Sequence, residues 1–263
     1  MSASDRTPAS RASATAAAPD PWTELRAFTR ARIALGRSGA SLPTDEVLRF
    51  GLAHAQARDA VHRALDVESL AQDLSGGGMP AIRQVRSAAP DRHTYLLRPD
   101  LGRRLRPEDA AALRADAGTA VPDLVFVLAD GLSALAVQRH AVPLVRQALA
   151  MAPEGWVIGP LVIALQARVA LGDAVGEALG ARFVAVLIGE RPGLGSPDSL
   201  GVYLTAQPRT GRMDAERNCL SNIRAEGLPI ETAARKLWWL AQRARQIGGT
   251  GTQLKDESDR LLP

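Results

Sequence analysis

The segment from Asp123 to Gly131 constrains the fold of this chain more than any other feature of its sequence. It reads Asp-Leu-Val-Phe-Val-Leu-Ala-Asp-Gly, and it passes into helical spacing over Leu132–His140. A strand with apolar side chains on both faces is typical of a parallel sheet that helices cover on both sides. The segment therefore predicts a βα unit within an α/β domain.

Similar patterns follow further along the chain. Ala181–Gly189 is a second apolar run, preceded by a predicted helix over Gly172–Leu179, and Gly201–Ala206 predicts another strand. Ile230–Ile247 has the amphipathic spacing of a long helix. We therefore expect a three-layer α/β domain with a mainly parallel sheet over residues 90–263.

The residues before this domain predict helices and no strand. A long helix is expected to begin near Thr44, which can cap it, and to end at the glycines that start with Gly76. Residues 1–20 are mostly small and polar, which predicts a disordered tail, although a targeting segment has a similar composition. Residues 21–89 are thus interpreted as a helical amino-terminal portion.

The net charge of +4 does not indicate a nucleic-acid partner. Lys236 and Lys255 are the two lysines, and the arginines are interspersed with acids instead of forming a basic stripe. No apolar run has the length of a membrane-spanning helix, and no secretory signal is visible at the start. The single cysteine, Cys219, excludes an internal disulfide and favours a reducing cytoplasm.

Two strand ends carry candidate ligand groups. Gly189–Gly195 predicts a tight loop at a carboxyl end, but it lacks both the Walker A pattern and the dinucleotide fingerprint, and this argues against a nicotinamide-dependent oxidoreductase. Asp130 has two interpretations, a cap for a helix that begins at Leu132 or a group that faces a ligand crevice.

The sequence predicts no catalytic residue and no metal site. The four histidines, at positions 54, 62, 93 and 140, have no metal-ligand spacing, and Cys219 has no histidine nearby in sequence to act as its base. The polar residues of Leu52–His62 are either a solvated helix face or a partner surface. Trp238 and Trp239 are either interface anchors or core residues.

Several segments, in one order over residues 22–245, together resemble the small subunit of ethanolamine ammonia-lyase. They are Ala31–Gly36 with Ser41–Pro43, Leu52–His62, Asp123–Ala136, Arg168–Asp173, Gly189–Gly195 and Cys219–Arg224. The resemblance implies a helical amino-terminal portion and a Rossmann-like domain that docks on a large barrel subunit carrying the substrate site. It also implies a hetero-oligomer that converts ethanolamine to acetaldehyde and ammonia by a radical mechanism.

The cofactor that the resemblance implies is adenosylcobalamin, enclosed between the two subunits with its own base on cobalt. The positions that match the family's cobalamin contacts are Val169, Glu190 and Cys219. Asp91-Arg-His93 resembles the Asp-x-His-x-x-Gly motif of base-off cobalamin proteins, but Leu96 replaces the glycine. This departure agrees with base-on binding.

Another function and the location of the protein stay open. The chain could be a non-catalytic interaction module, for example a scaffold whose tail is a targeting peptide. Because the family occurs in bacterial microcompartments, the expected location is the cytoplasm, either free or inside such a compartment. We expect no nucleic-acid partner and no membrane association.

Overall fold

The computed structural model describes residues 22–29, 31–76, 78–118 and 120–261. Its strands are β1 (Ile82–Arg86), β2 (Leu124–Ala129), β3 (Ile158–Leu165), β4 (Phe183–Gly189), β5 (Leu200–Ala206) and β6 (Arg217–Ile223). Its α-helices are α1 (Thr44–His62), α2 (Val67–Asp73), α3 (Arg92–Leu97), α4 (Pro99–Gly102), α5 (Pro107–Ala115), α6 (Ala134–Ala150), α7 (Leu171–Ala178) and α8 (Ile230–Ile247). The predicted disordered tail over 1–20 lies outside the described residues.

The described strands form one mixed sheet in the order β1-β3-β2-β4-β5-β6. The pairings from β1 to β4 are parallel, and β5 and β6 are antiparallel to their neighbours. The prediction of an α/β domain is confirmed. The prediction of a mainly parallel sheet holds only in part, because three of the five pairings between the described strands are parallel and two are antiparallel. The connections 190–199 and 207–216 are too short for the crossover that a parallel pairing needs. A Rossmann-like relationship remains a prediction.

Helices pack on both faces of the sheet, and β2 is buried between them. Side chains of Leu124, Phe126 and Leu128 share a core with α2, α6 and α8. The alternate residues, from Val125 to Ala129, pack in a second core with α5 and α7. This arrangement explains why β2 has no polar position, since successive side chains of a strand point to opposite faces.

The expectation of an all-helical segment before residue 90 is wrong, because it contains β1 at Ile82–Arg86. This strand lies at the edge of the sheet and pairs with β3 through its backbone, so it needs few apolar side chains. The predicted long helix is also interrupted. It forms α1 and α2, and the Asp66 side chain caps α2 by accepting a 3.0 Å hydrogen bond from the Ser69 amide.

The chain divides into two compact units, residues 1–55 and 56–263. In the first unit, the buried Glu46 carboxylate accepts a 2.7 Å hydrogen bond from Arg49. The second unit contains the whole sheet. The boundary predicted between residues 89 and 90 stays a prediction. Among the described helices, none is sufficiently long and apolar to cross a membrane.

Candidate functional site

The chain order of the strands creates a crevice at one edge of the sheet. Helix α6 follows β2 and packs on one face of the sheet, whereas α7 follows β3 and packs on the other face. The loops after the neighbouring strands β2 and β3 therefore turn to opposite faces, and open α/β sheets bind ligands at such a switch point, outside the carboxyl ends of the strands. A cavity of about 570 Å³ occupies this position.

The cavity is lined by residues from all three strand ends. They are Gly131 and Leu132 after β2, Arg168, Val169 and Ala170 after β3, and Ile188, Gly189, Glu190 and Arg191 at the end of β4. Tyr95, Pro99, Asp100, Arg103, Tyr203 and Asp214 complete the lining. Two of the three predicted cofactor contacts, Val169 and Glu190, thus lie on one cavity.

Glycines allow the ends of β2 and β4 to approach closely. The Leu132 amide donates a 2.9 Å hydrogen bond to the Gly189 carbonyl. A Cβ atom on Gly189 would lie 2.0 Å from the Ser133 carbonyl oxygen, and one on Gly131 would lie 2.4 Å from the Gly189 carbonyl oxygen. No side chain fits at either position, so glycine is required for this wall of the cavity.

Asp130 takes neither of the roles considered for it. Its buried carboxylate accepts hydrogen bonds from the backbone N–H groups of Gln166 (2.9 Å) and Ala167 (3.0 Å). The helix after it begins at Ala134, where Ser133 is the cap. Burial raises the pKa of the Asp130 carboxyl, against the lowering effect of its backbone hydrogen bonds and of Arg92. Asp130 therefore supports the loop that carries Val169.

That loop contains polar atoms without partners. Gln166 has a left-handed backbone (φ 54°), which is uncommon outside glycine, and its buried Oε1 atom accepts no hydrogen bond in the described structure. The Nε atom of Arg168 is likewise buried and unpaired, while the Arg168 guanidinium stacks 4.4 Å from the Tyr95 ring centre. Arg168 is among the residues that line the cavity, and an unpaired buried group at such a place is suited to contact a ligand.

Glu190 is the first residue after β4. The Gly189–Gly195 loop thus lies at the carboxyl end of this strand, as predicted. The Glu190 carboxylate accepts hydrogen bonds from the hydroxyls of Ser221 (2.6 Å) and Ser199 and from the Asn222 amide (3.2 Å). A Cβ on Gly201 would be 2.9 Å from Glu190 Oε1, so this glycine makes room for the carboxylate. The acceptor is held in place before any ligand binds.

Cys219 lies on β6, directly opposite Tyr203 of β5. The polar residues around Cys219 thus belong to a strand. Cys219 is exposed, in contrast to the usual buried cysteine, and it is absent from the lining of the 570 Å³ cavity that Tyr203 contributes to. Although the residue is exposed, the protein atoms packed around its sulfur raise the pKa of the thiol by partial loss of hydration. A thiol of this kind stays neutral near pH 7 and is a poor nucleophile.

The structure adds Tyr95 to the residues that sequence reasoning considered. Its ring is fully buried between the guanidinium groups of Arg92 and Arg168, and its hydroxyl donates a 3.1 Å hydrogen bond to the Ala167 carbonyl. Nothing in its local sequence marks it, since α3 is far from β3 in the chain. Arg168, by contrast, adjoins Val169 in the same motif and could have been selected.

Other candidates have structural roles. Asp91 caps α3 by accepting a 2.7 Å hydrogen bond from the Thr94 amide, and His93 is exposed. Trp238 is a core residue, with its indole N–H donating to the Ala148 carbonyl (2.7 Å), and Trp239 is half-buried. The described residues contain no cluster of three or more side chains that could hold a metal ion.

A second cavity of about 760 Å³ adjoins the first and shares Asp100, Arg103, Ala170 and Asp214 with it. Together the two cavities form an open surface that carries charged side chains of both signs among apolar ones. Such a surface can bind and orient a large ligand with many amide groups. The described lining contains no nucleophile paired with a base, so it offers no self-sufficient hydrolytic or acyl-transfer chemistry.

Comparison with known proteins identifies the family. The family model for the ethanolamine ammonia-lyase light chain matches residues 19–255. The ethanolamine ammonia-lyase small subunit of Azotobacter vinelandii is 54% identical over 260 residues, covering 97% of this chain and 93% of the relative. The protein of that name from Xanthomonas campestris pv. campestris is 57% identical over 248 residues, covering 92% and 90%. The chain therefore belongs to the ethanolamine ammonia-lyase small-subunit (light-chain) family.

Proposed function

We propose that this chain is the cofactor-facing subunit of an adenosylcobalamin-dependent ethanolamine ammonia-lyase, a carbon–nitrogen lyase active only with its large subunit. The observation that carries the proposal is the cavity at the switch point of the sheet. Val169, Glu190 and Tyr203 line this cavity, and Tyr203 is paired across the sheet with Cys219, which does not line it. The family resemblance expects cobalamin contacts at Val169, Glu190 and Cys219.

The chemistry of the site fits a corrin, whose rim carries amide groups. Glu190 is a fixed acceptor for amide N–H groups, and the unpaired Gln166 Oε1 is a second acceptor close in sequence to Val169. The Arg168 guanidinium can donate to amide carbonyls. Charges of both signs line the cavity, as suits a ligand rich in neutral polar groups.

The protein's contribution is binding, orientation and exclusion of water. Adenosylcobalamin, when bound, supplies the radical chemistry that converts ethanolamine to acetaldehyde and ammonia. Val169 offers an apolar contact and its backbone at the end of β3. Cys219 lies on the sheet-edge strand β6, where backbone groups are left unpaired by the sheet and can meet a ligand.

The cavities are open, and this favours enclosure of the cofactor by a partner. We propose that the large subunit of a hetero-oligomer covers this surface, and that it carries the substrate site. We propose base-on binding, because His93 lies in the first turn of α3 instead of following a strand, unlike the histidine of the base-off motif. We propose a cytoplasmic enzyme, either free or inside a bacterial microcompartment.

The test measures ethanolamine turnover with adenosylcobalamin for this chain, for the large subunit, and for the two co-expressed. We expect activity in the combination alone, with cobalamin retained through gel filtration. A stable co-complex without cobalamin or activity would instead support the scaffold interpretation. Activity of this chain by itself would refute the subunit assignment.

Glu190→Gln tests the site itself. The amide keeps the size of the side chain but replaces one acceptor oxygen with a donor, so we expect cobalamin to bind about tenfold or more weakly, since a hydrogen bond to a charged group contributes about 1.5–3 kcal/mol. The matched control is Glu231→Gln, at an exposed position in the first turn of α8. Equal cobalamin dissociation constants for the two variants would refute the role of Glu190.

A further inference from the structure

A buried ion pair joins α7 to β6 beneath the candidate site. Arg217 donates through both terminal nitrogens to Asp173, with distances of 2.5 Å to Oδ1 and 2.7 Å to Oδ2. The side chains are 2% and 1% exposed. This is a two-point contact between a guanidinium fork and a carboxylate, which restricts orientation as well as distance.

The partners of this pair lie close in sequence to two predicted cofactor contacts. Asp173 follows Val169 by one helical turn, and Arg217 precedes Cys219 by two residues. Residues two apart on a strand point to the same face of the sheet, so Arg217 and Cys219 share the face on which α7 packs. Arg217 also donates a 3.0 Å hydrogen bond to Thr205.

Arg217 has a further link, to the rim of the cavities. Its Nη2 atom donates a 2.8 Å hydrogen bond to the Arg212 carbonyl, and its Nε atom is 3.5 Å from the Asp214 carboxylate. Asp214 lines both cavities. One guanidinium therefore contacts the helix after Val169, the strand that carries Tyr203 and the loop before Cys219.

Stability alone is a poor explanation for such a pair. Removing two charges from water is costly, and apolar residues of similar volume often stabilise a protein equally well or better. Burial raises the pKa of the Asp173 carboxyl, while the hydrogen bonds and the charge of Arg217 act to lower it. The feature that apolar residues cannot supply is the fixed geometry between α7, β5 and β6.

We propose that Asp173 and Arg217 are positioning residues, a buried clamp that holds the Val169 loop and the Cys219 strand at the spacing that the cofactor requires. The clamp touches neither substrate nor cofactor. The proposal rests on the function proposed above, because it assigns cobalamin binding to the same surface.

The test compares Asp173→Asn and Arg217→Lys in the co-expressed complex with the large subunit. Asparagine keeps the shape of Asp173 without its charge, and lysine keeps the charge of Arg217 without its fork. The matched control is Asp123→Asn, because Asp123 is also buried and ion-paired, to Arg182 at 2.8 Å, but lies at the other end of β2. Hydroxocobalamin is the probe, and equilibrium dialysis measures its dissociation constant.

We expect both clamp variants to weaken hydroxocobalamin binding about tenfold or more, because small displacements of binding groups have effects of this size. Asp123→Asn should change the dissociation constant less than about twofold, even if it unfolds at a lower temperature. In addition, Cys219→Ala should weaken binding in the wild type and have a smaller effect on top of Asp173→Asn. Equal dissociation constants for Asp173→Asn and Asp123→Asn would overturn the clamp.

A second readout separates this proposal from the proposed function. Amide hydrogen exchange is measured over residues 166–173 and 212–219 in the complex, without cobalamin. Faster exchange in Asp173→Asn and Arg217→Lys, and not in Asp123→Asn, supports the clamp, and unchanged exchange refutes it. If the wild-type complex binds no hydroxocobalamin, the proposed function fails, and the exchange rates still decide whether the clamp holds these segments.

Discussion

The two ends of β2 carry similar residues, Asp123 and Asp130, in different surroundings. Asp123 before the strand and Asp130 after it are both buried carboxylates that accept backbone hydrogen bonds. At the amino end, Asp123 accepts a 2.8 Å hydrogen bond from Arg182 and another, of 2.9 Å, from the Val157 amide. At the carboxyl end, Asp130 supports a loop with a left-handed Gln166 and unpaired buried atoms.

This contrast indicates that the amino end of the sheet serves mainly stability, whereas the carboxyl end is suited to bind a ligand. The amino end satisfies the polar groups of Asp123 within the protein. The carboxyl end combines close glycine contacts, the unpaired Gln166 Oε1 and Arg168 Nε atoms, and a cavity. Strained and unpaired groups persist only where the surrounding structure holds them, and they cluster at binding sites. The following predictions test this division, in order of decreasing effect.

Gly189→Ala should have the largest effect. The new Cβ would meet the Ser133 carbonyl at 2.0 Å, and backbone at both positions would have to move. We expect a loss of about 3 kcal/mol in the free energy of unfolding, measured by urea denaturation.

Two other glycines serve as controls for Gly189→Ala. Gly195→Ala meets no atom within 4 Å and should be nearly neutral, within about 0.5 kcal/mol. Gly159→Ala, at the amino end of the sheet, meets the Val125 side chain at 2.8 Å and should be intermediate. If Gly159→Ala lowered the free energy of unfolding more than Gly189→Ala, the carboxyl end of the sheet would not be more closely packed than the amino end.

Asp130→Asn should change how stability depends on pH. Because burial raises the pKa of Asp130 in the folded chain, its contribution to stability is fully present below the ordinary pKa of 3.8 and is lost as pH rises through the raised value. The free energy of unfolding of the wild type, relative to Asp130→Asn, should therefore fall as the pH rises above 3.8.

The measurement for Asp130→Asn is urea denaturation at several pH values, with all other conditions constant. The variant also leaves one of the amides of Gln166 and Ala167 without its acceptor, which costs about 1–3 kcal/mol at every pH. The difference in the free energy of unfolding between the wild type and Asp130→Asn therefore has two parts, a constant loss in the variant and a part that depends on pH. A relative stability that rises with pH would contradict the assigned pKa direction.

Apart from the control Gly195→Ala, Tyr95→Phe should have the smallest effect. It removes the hydroxyl that donates to the Ala167 carbonyl and keeps the ring between Arg92 and Arg168. We expect a loss of about 1 kcal/mol in the free energy of unfolding. Tyr95→Leu, which also removes the cation–π contacts, should cost more, and equal losses would show that the stacked arginines contribute nothing.

Much of the fold could be predicted from the sequence, because local patterns carry it. The apolar runs predicted β2 and β4, and the amphipathic spacing predicted α8 over the residues that form it. By contrast, β1 and β6 are edge strands with many polar side chains, and their sequences do not distinguish them from loops. Their structure depends on backbone pairing with β3 and β5.

The candidate site divides in the same way. Its loops could be located in advance, because Asp130 and Gly189 end apolar strands, but their contacts could not. The role of Asp130 depends on a loop that begins 36 residues later in the chain, at Gln166. Tyr95 enters the site from a short helix whose sequence contains no sign of it.

The sequence by itself determined the α/β class, the buried central strands and the family, because apolar periodicity and ordered motifs are properties of the chain alone. The tertiary structure decided the antiparallel pairings of β5 and β6, the place of Asp130 beneath the Val169 loop, and the joining of Asp173 to Arg217. The physical reason is that these features are contacts between distant residues. Their energies depend on burial and on partners that only the folded chain brings within hydrogen-bonding distance.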